Sequence, residues 1–354
     1  MERQRRRGAQ GATIRDVAAL AGVSPMTVSR VINRETNVRS ETRDLVNSAI
    51  RELSYTPSPA ARSLAGSEPF RLGLLYDNPS AGYLTQFLLG ALDESSRTGA
   101  QVLVEKCAEA EDAGATLARF IRAGVDGLIV PAPLCEAPLV LSQIRSSNTA
   151  AVLLTPGHPS EDMATVRIDN EAAAREMTEH LLSLGHRRFG FIKGHPNQTS
   201  SDLRMRGFLS TLKGAGIGDG AVRLEQGYFT YRSGLDAAEK LLADDPDVTA
   251  IFAANDEMAA ATTALAHRLG FDVPDDLSIV GFDDTATAAT VWPALTTIHQ
   301  PVAAMARAAV DLLLEEIRRK RTGKSAPRQL LHSHTLIVRE SSGPAAAQSV
   351  SAGA

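Results

Sequence analysis

Residues 13–33 read TIRDVAALAGVSPMTVSRVIN, from Thr13 to Asn33. Thr13 can accept a bond from the first turn of a helix beginning at Ile14, and Asp16 suits the positive end of that helix. Ile14, Val17, Ala18 and Ala21 follow at i, i+3, i+4 and i+7 and make one narrow apolar face. Gly22 stops the helix, and Ser24 offers a second cap with Pro25 at the first helical position. A second helix continues from Thr27 to Asn33, with Val28, Val31 and Ile32 turned toward the first. Helix, short glycine turn and helix is a helix-turn-helix pattern, and Ala18 and Ala21 are small enough for close approach. Met26, Thr27, Ser29, Arg30 and Asn33 face outward. Such a helix suits a DNA major groove, where hydroxyls and amides hold phosphates and an arginine grips guanine.

Working outward, a third helix capped by Ser40 is expected from Glu41 to Leu53, presenting Leu45, Ile50 and Leu53. Ser58 and Pro59 open a short helix over 60–65 that stops at Gly66 and is too short to persist alone in water. Residues 1–66 carry eleven arginines and no lysine against six acids, a balance of +5, whereas residues 67–354 balance at −9. A basic head on an acidic body points only the head at a polyanion. The whole chain has 354 residues, 44% apolar and 22% charged. That is an ordinary globular composition with room for about two domains and an appendage. No apolar run approaches the roughly 20 residues of a membrane span. The charged N-terminal residues lack an apolar core, and Cys107 and Cys135 give neither a disulfide framework nor metal-ligand spacing. The expectation is a cytoplasmic protein with no membrane partner, metal or cofactor.

Segments 13–18 (TIRDVA), 21–24 (AGVS), 27–33 (TVSRVIN), 53–57 (LSYTP) and 60–66 (AARSLAG), with Val38, Thr42 and Arg43, closely resemble the LacI/GalR family of bacterial repressors. The resemblance implies phosphate contacts from Thr13, Ser24, Thr27, Ser29, Asn33, Asn37 and Thr42, and base reading by Arg30. Pro25 and Met26 take two variable positions at the front of the recognition helix; being apolar here, they suit thymine methyl groups. The 60–65 segment becomes a hinge helix in the minor groove, with Ala61 at the DNA and Leu64 wedged between base pairs.

From residue 71, short apolar runs alternate with amphipathic stretches. Runs at 72–76, 102–105, 127–130, 152–154, 189–192, 250–253 and 278–281 read as strands. Stretches at 82–97, 170–184, 200–215, 233–243 and 257–269 read as helices. This alternation predicts parallel sheets with helices on both faces, and about 270 residues suit two lobes around a cleft. Polar residues follow several strands: Asp77, Asn78, Ser200, Asp202, Arg204, Asn255, Asp256, Asp283 and Asp284, with Tyr228 and Phe229 nearby. Carboxylate, amide, guanidinium and aromatic face together suit a neutral sugar, although Asn and Asp at such places commonly cap helices.

The body is similar to the periplasmic-binding-protein-like core of LacI/GalR regulators. This implies an N-terminal helix-turn-helix domain joined to an α/β core of two doubly wound lobes. It implies an effector site of Tyr83, Ser200, Arg204, Phe229, Asn255 and Asp283. Thr155 is left outside it, because many members carry an aspartate there. The expected boundaries are a basic disordered arm over 1–12, the head over 13–57, hinge and linker over 58–69 and the core over 70–340. Within the core, lobe one takes about 70–160 and 293–323 and lobe two about 161–292 and 324–340, with a disordered tail over 341–354. Chain crossings are expected near 156–165, 288–297 and 320–328. The tail lacks leucine heptads, so a homodimer is expected.

The function so implied is repression of a carbohydrate-utilisation operon. A sugar or oligosaccharide effector would release the dimer from double-stranded, pseudo-palindromic operator DNA. A regulator using a purine corepressor is the alternative, since Phe229 stacks equally well on a base. A transport solute-binding protein would share the body but not the head. No pair of facing carboxylates, nucleophile motif beside His186, His195 or His299, or phosphate-cradling glycine loop is legible, so an enzyme is not expected.

Overall fold

The computed structural model describes residues 12–32, 38–53, 55, 69–107, 110–244, 247–322 and 327–345. The chain divides into two compact units, Met1–Pro69 and Phe70–Ala354.

The first unit contains α1 (Ile14–Ala21), α2 (Pro25–Ile32) and α3 (Ser40–Glu52). Thr13 and Asp16 cap α1 reciprocally: Thr13 N donates to Asp16 Oδ2 at 2.8 Å and Asp16 N to Thr13 Oγ1 at 3.4 Å. Two backbone donors at the helix start are thereby satisfied. Gly22 ends α1 at φ 65°, a left-handed conformation that glycine adopts without steric cost. Ser24 Oγ accepts from Thr27 N at 3.1 Å and so caps α2. Val17, Val28 and Val46 are fully buried at the centre, closed over by Ala18, Val31, Ala49 and Tyr55.

The third helix departs from expectation. Arg39 occupies its cap position without a side-chain bond, and Ser40 is already helical. Leu45 is 58% exposed while Val46 and Ala49 are buried. One residue is about 100° of helix rotation, and the inward face is set by the 46–49 spacing. The segment 60–65, and residues 1–11, lie outside the described residues.

The second unit is an α/β core. Its chain order begins β1 (Arg71–Tyr76), α4 (Ala81–Thr98), β2 (Gln101–Lys106), α5 (Ala110–Arg122), β3 (Gly127–Pro131), α6 (Pro138–Ser147) and β4 (Ala150–Leu154). It continues β5 (Ala164–Ile168), α7 (Asn170–Ser183), β6 (Phe189–Lys193), α8 (Thr199–Gly214), β7 (Val222–Gln226), α9 (Tyr231–Asp244), β8 (Ala250–Ala253), α10 (Asp256–Arg268) and β9 (Ser278–Val280). It closes with α11 (Ala286–Thr290), β10 (Thr297–His299), α12 (Val302–Thr322), β11 (Gln329–His332) and β12 (Thr335–Ile337).

Lobe one is built on a parallel sheet in the order β11-β5-β4-β3-β1-β2, and lobe two on a parallel sheet ordered β7-β6-β8-β9. Central strands such as β3 (GLIVP) and β4 (AAVLL) are buried throughout, as strands covered on both faces must be. Lobe two is centred on Phe191, Phe208 and Phe252, with ring centroids 4.9–6.1 Å apart. Helix α12 returns to lobe one and buries Val302, Met305, Ala306, Ala309, Val310, Leu313 and Ile317, a helical apolar face. No helix among the described residues is long and apolar enough to cross a membrane.

Strand pairing moves all three expected crossings. Thr165–Ile168 pairs in parallel with Gln329–His332, and Val152–Leu154 with Ala164–Val166. The first crossing therefore falls after Ile168 rather than at 156–165. Gly281 N and Asp283 N donate to Thr296 O and Ile298 O, so β10 stays with lobe two and the second crossing follows His299 rather than falling at 288–297. Strand β11 belongs to lobe one rather than lobe two, which moves the third crossing from 320–328 to the turn after His332. The start of the expected tail is also built in. Ser341 is fully buried, Ile279 N donates to its carbonyl at 2.8 Å, and Ala345 N donates to Leu184 O at 2.9 Å. Residues 346–354 lie outside the described residues.

Candidate functional site

In the first unit the outward side of α2 carries Ser24, Pro25, Met26 and Arg30 exposed, with Thr27 and Ser29 partly so. Met26 is 65% exposed, a large apolar side chain at the front of the helix. Thr13, at the α1 cap, is exposed, and Thr42, in the first turn of α3, is partly exposed. Ser24 and Thr27 share a hydroxyl–hydroxyl bond of 2.9 Å, and Thr13 Oγ1 donates to Asp16 Oδ2 at 2.7 Å. Each of these hydroxyls keeps acceptor or donor capacity beyond its cap. Asn33, Asn37, Ala61 and Leu64 lie outside the described residues.

In the core a cavity opens between the carboxyl ends of the two sheets, the place where ligands bind in doubly wound folds. Lobe one contributes Asn78, Ser80, Tyr83 and Thr155, and lobe two contributes Asn170, Gln198, Ser200, Arg204, Phe229 and Asp283. Gln300 lines it from the crossing between β10 and α12. Tyr83, Ser200, Arg204, Phe229 and Asp283 are thus brought together as expected from sequence.

Asn255 is not. It is fully buried as the cap of α10: its Oδ1 accepts from Met258 N at 3.0 Å and its Nδ2 donates to Phe229 O at 3.0 Å. Its amide is spent holding the loop that presents Phe229. Thr155 is the opposite correction, for it lines the cavity despite replacing an expected aspartate. Asn78, Ser80, Asn170, Gln198 and Gln300 also line the wall. The signal available for Asn78 and Asn170 was their place directly after strands; Gln300 had none.

Arg204 is the organising group. It is 5% exposed, donates from Nε to Asn170 Oδ1 at 2.9 Å and from Nη1 to Ala254 O at 2.6 Å, and stands 3.6 Å from Asp283 Oδ1. The guanidinium lies 3.6 Å from the centroid of the Phe282 ring, which fixes its plane. Gln300 Nε2 donates to Asp283 Oδ1 at 2.7 Å. Tyr83 is buried beside Thr155 on the lobe one wall, and Gln300 Oε1 is buried without a hydrogen-bond partner. A buried polar atom left unpaired is costly, so Gln300 Oε1 points to a ligand that completes it.

The backbone is strained at this wall. Thr155, Phe229 and Asp283 have φ of 54°, 61° and 111°, and Asp284 has 55°. Positive φ at non-glycine residues persists where neighbours impose it, and it gathers at binding sites. For Asp283 the neighbour is Asp256. That buried carboxylate accepts from Thr285 N at 2.7 Å, Thr285 Oγ1 at 3.0 Å and Thr297 Oγ1 at 2.6 Å, pinning the loop beyond Asp283 to β10.

Burial pushes the Asp283 carboxyl up to about 7, against the pull of Arg204. Burial, and then the Asp283 charge, push Asp256 up to about 8. Both values exceed the ordinary Asp value of about 3.9. The folded core therefore binds more protons than the unfolded chain between these limits. The contribution of both groups is most favourable at low pH and is lost as pH rises from about 4 to about 8. Thermal melts from pH 5 to 8 are expected to show a smaller decline for Asp256→Asn than for the parent. Identical slopes would refute the assignment.

Comparison with known proteins bears on both units. Residues 13–58 match the model for bacterial regulatory proteins of the lacI family, and residues 178–342 that for a periplasmic binding protein-like domain. The chain is 36% identical over 338 residues to the HTH-type transcriptional repressor PurR of Pectobacterium carotovorum, covering 93% of this chain and 96% of that relative. It is 33% identical over 312 residues to PurR of Salmonella paratyphi B, covering 88% and 92%. Among solved structures it is similar to a complex of the transcriptional regulator CelR with cellobiose, with a TM-score of 0.70, 30% identity and coverage of 93% and 99%. It is also similar to a lac repressor dimer bound to operator and the anti-inducer ONPF, with a TM-score of 0.70, 28% identity and coverage of 94% and 100%.

Proposed function

Because the chain belongs to the lacI family of bacterial regulatory proteins, and is a DNA-binding transcription regulator rather than an enzyme, we propose that it represses genes under control of a small neutral ligand held between the core lobes. A homodimer presents two heads to a pseudo-palindromic operator. Leu89 and Leu92, 58% and 52% exposed on α4, give the core an apolar face that supports association. Arg30 reads a base, Met26 and Pro25 meet thymine methyls, and Thr13, Ser24, Thr27, Ser29 and Thr42 hold phosphates. Asn33, Asn37, Ala61 and Leu64 complete this set from outside the described residues.

The ligand reading rests on the cavity wall. Arg204 and Asp283 offset each other, and the other polar lining groups are hydroxyls and amides. A neutral lining favours an uncharged ligand over a sugar phosphate. Nine polar residues against two aromatics suit the many hydroxyls of a sugar better than the flat faces of a base. The second reading, a purine corepressor, is favoured by the names of the 36% and 33% identical relatives and by Phe229 as a stacking face.

Melting the protein against neutral monosaccharides, disaccharides, sugar phosphates and purines separates these readings. A ligand at 100 times its dissociation constant stabilises by about 2.7 kcal/mol. A shift with a neutral mono- or disaccharide, followed by a change in operator affinity, is the expected result. A shift with purines alone would replace the sugar reading by corepression.

A further inference from the structure

Two carboxylates that do not line the cavity meet the opposite lobe across it. Glu257, in the first turn of α10 in lobe two, accepts from Gly82 N at 3.0 Å, in the first turn of α4 in lobe one. Asn255 Nδ2 holds its other oxygen at 2.7 Å. Glu136 ends a short turn, Leu134–Glu136, that follows β3 in lobe one. It accepts from Gly157 N of its own lobe at 2.6 Å and from Thr199 N at 3.1 Å, the first residue of α8 in lobe two. Each lobe thus lends one carboxylate to a helix start on the other, where unpaired N–H groups and the helix dipole favour negative charge. The helices so held carry cavity residues, Tyr83 on α4 and Ser200 and Arg204 on α8.

Beside each contact a glycine leaves clearance. A Cβ on Gly157 would stand 2.2 Å from Thr199 Cγ2, and one on Gly82 would stand 2.9 Å from Thr285 Cγ2. Neither glycine has a left-handed φ, so its own backbone does not require it. The facing lobe is what excludes a side chain.

We propose that Glu136 and Glu257 are positioning residues that clasp the lobes together, with Gly157 and Gly82 providing the clearance. They set ligand affinity through the closed population rather than by touching ligand. This rests on the cleft being the ligand site, but the clasp itself acts in the ligand-free protein.

The test is an inter-lobe distance in full-length protein without ligand. Spin labels go on Ser146→Cys of α6 and Lys213→Cys of α8, both exposed, while Cys107 and Cys135 are buried and stay unlabelled. The parent is expected to show one distance. Glu136→Ala with Glu257→Ala should lengthen it, the paired Glu→Gln changes, which keep an acceptor oxygen, should do so less, and Gly157→Val, which leaves both carboxylates intact, should lengthen it independently. A variant that opens to about nine-tenths should bind ligand about tenfold more weakly, since apparent affinity scales with the competent fraction. Unchanged distances in both the alanine pair and the valine variant would overturn the clasp, whatever ligand the parent binds. A clasp that opens in a protein deaf to every ligand would uphold it and remove the ligand reading instead.

Discussion

Arg204→Leu is expected to abolish the ligand-induced melting shift and to lower the stability of the core by about 3 kcal/mol, the lower end for breaking a buried ion pair. The leucine fills much of the same space but leaves Asn170 Oδ1 and Ala254 O without their donor and Asp283 without its countercharge. The loss sits at the low end because Asp283, already pushed up to about 7 by burial, escapes part of the penalty by taking a proton. Denaturant melts with and without ligand measure both effects. A variant that kept the parent's stability and its ligand response would remove Arg204 from the centre of the site.

Val28→Asp is expected to unfold the head and reduce operator affinity at least 100-fold while leaving the ligand response of the core intact. Val28 is fully buried where α1, α2 and α3 meet. A head of this size has little stability in reserve, and an unpaired buried carboxylate costs more than so small a core returns. The separation of the chain into two compact units is why the damage should stay local. Operator titration and ligand-dependent melting of one preparation decide it. Retained operator binding would contradict the assigned packing, and a lost ligand response would contradict the independence of the units.

The parts of the molecule legible in the sequence are those with local chemical causes. Thr13, Asp16, Gly22 and Ser24 act within a few residues of themselves, and their reading matches the observed caps. Central strands announced themselves as unbroken apolar runs. Strands β5 (ATVRI), β7 (VRLEQ) and β11 (QLLH) did not, because strands that carry Arg, Glu or Gln lose that contrast. At the cavity, Arg204 and Asp283 were legible through resemblance and through their charge. Thr155, Gln198 and Gln300 were not, since an isolated Thr or Gln becomes part of a site only when the lobes face one another. Asn255 shows the converse: its position after a strand fits a ligand contact and a helix cap equally well, and the cap is what the hydrogen bonds show.

The pairing of β5 with β11 also has a consequence for how the protein is made. Ile168 and Gln329 are separated by roughly 160 residues, which a ribosome adds in about 10–30 s at 5–20 residues per second. Throughout that interval the nascent chain carries an open β5 edge, the kind of template on which neighbouring polypeptides aggregate. Completion of the lobe one sheet waits until Gln329–His332 has been made, and until then the growing chain depends on whatever shields that edge.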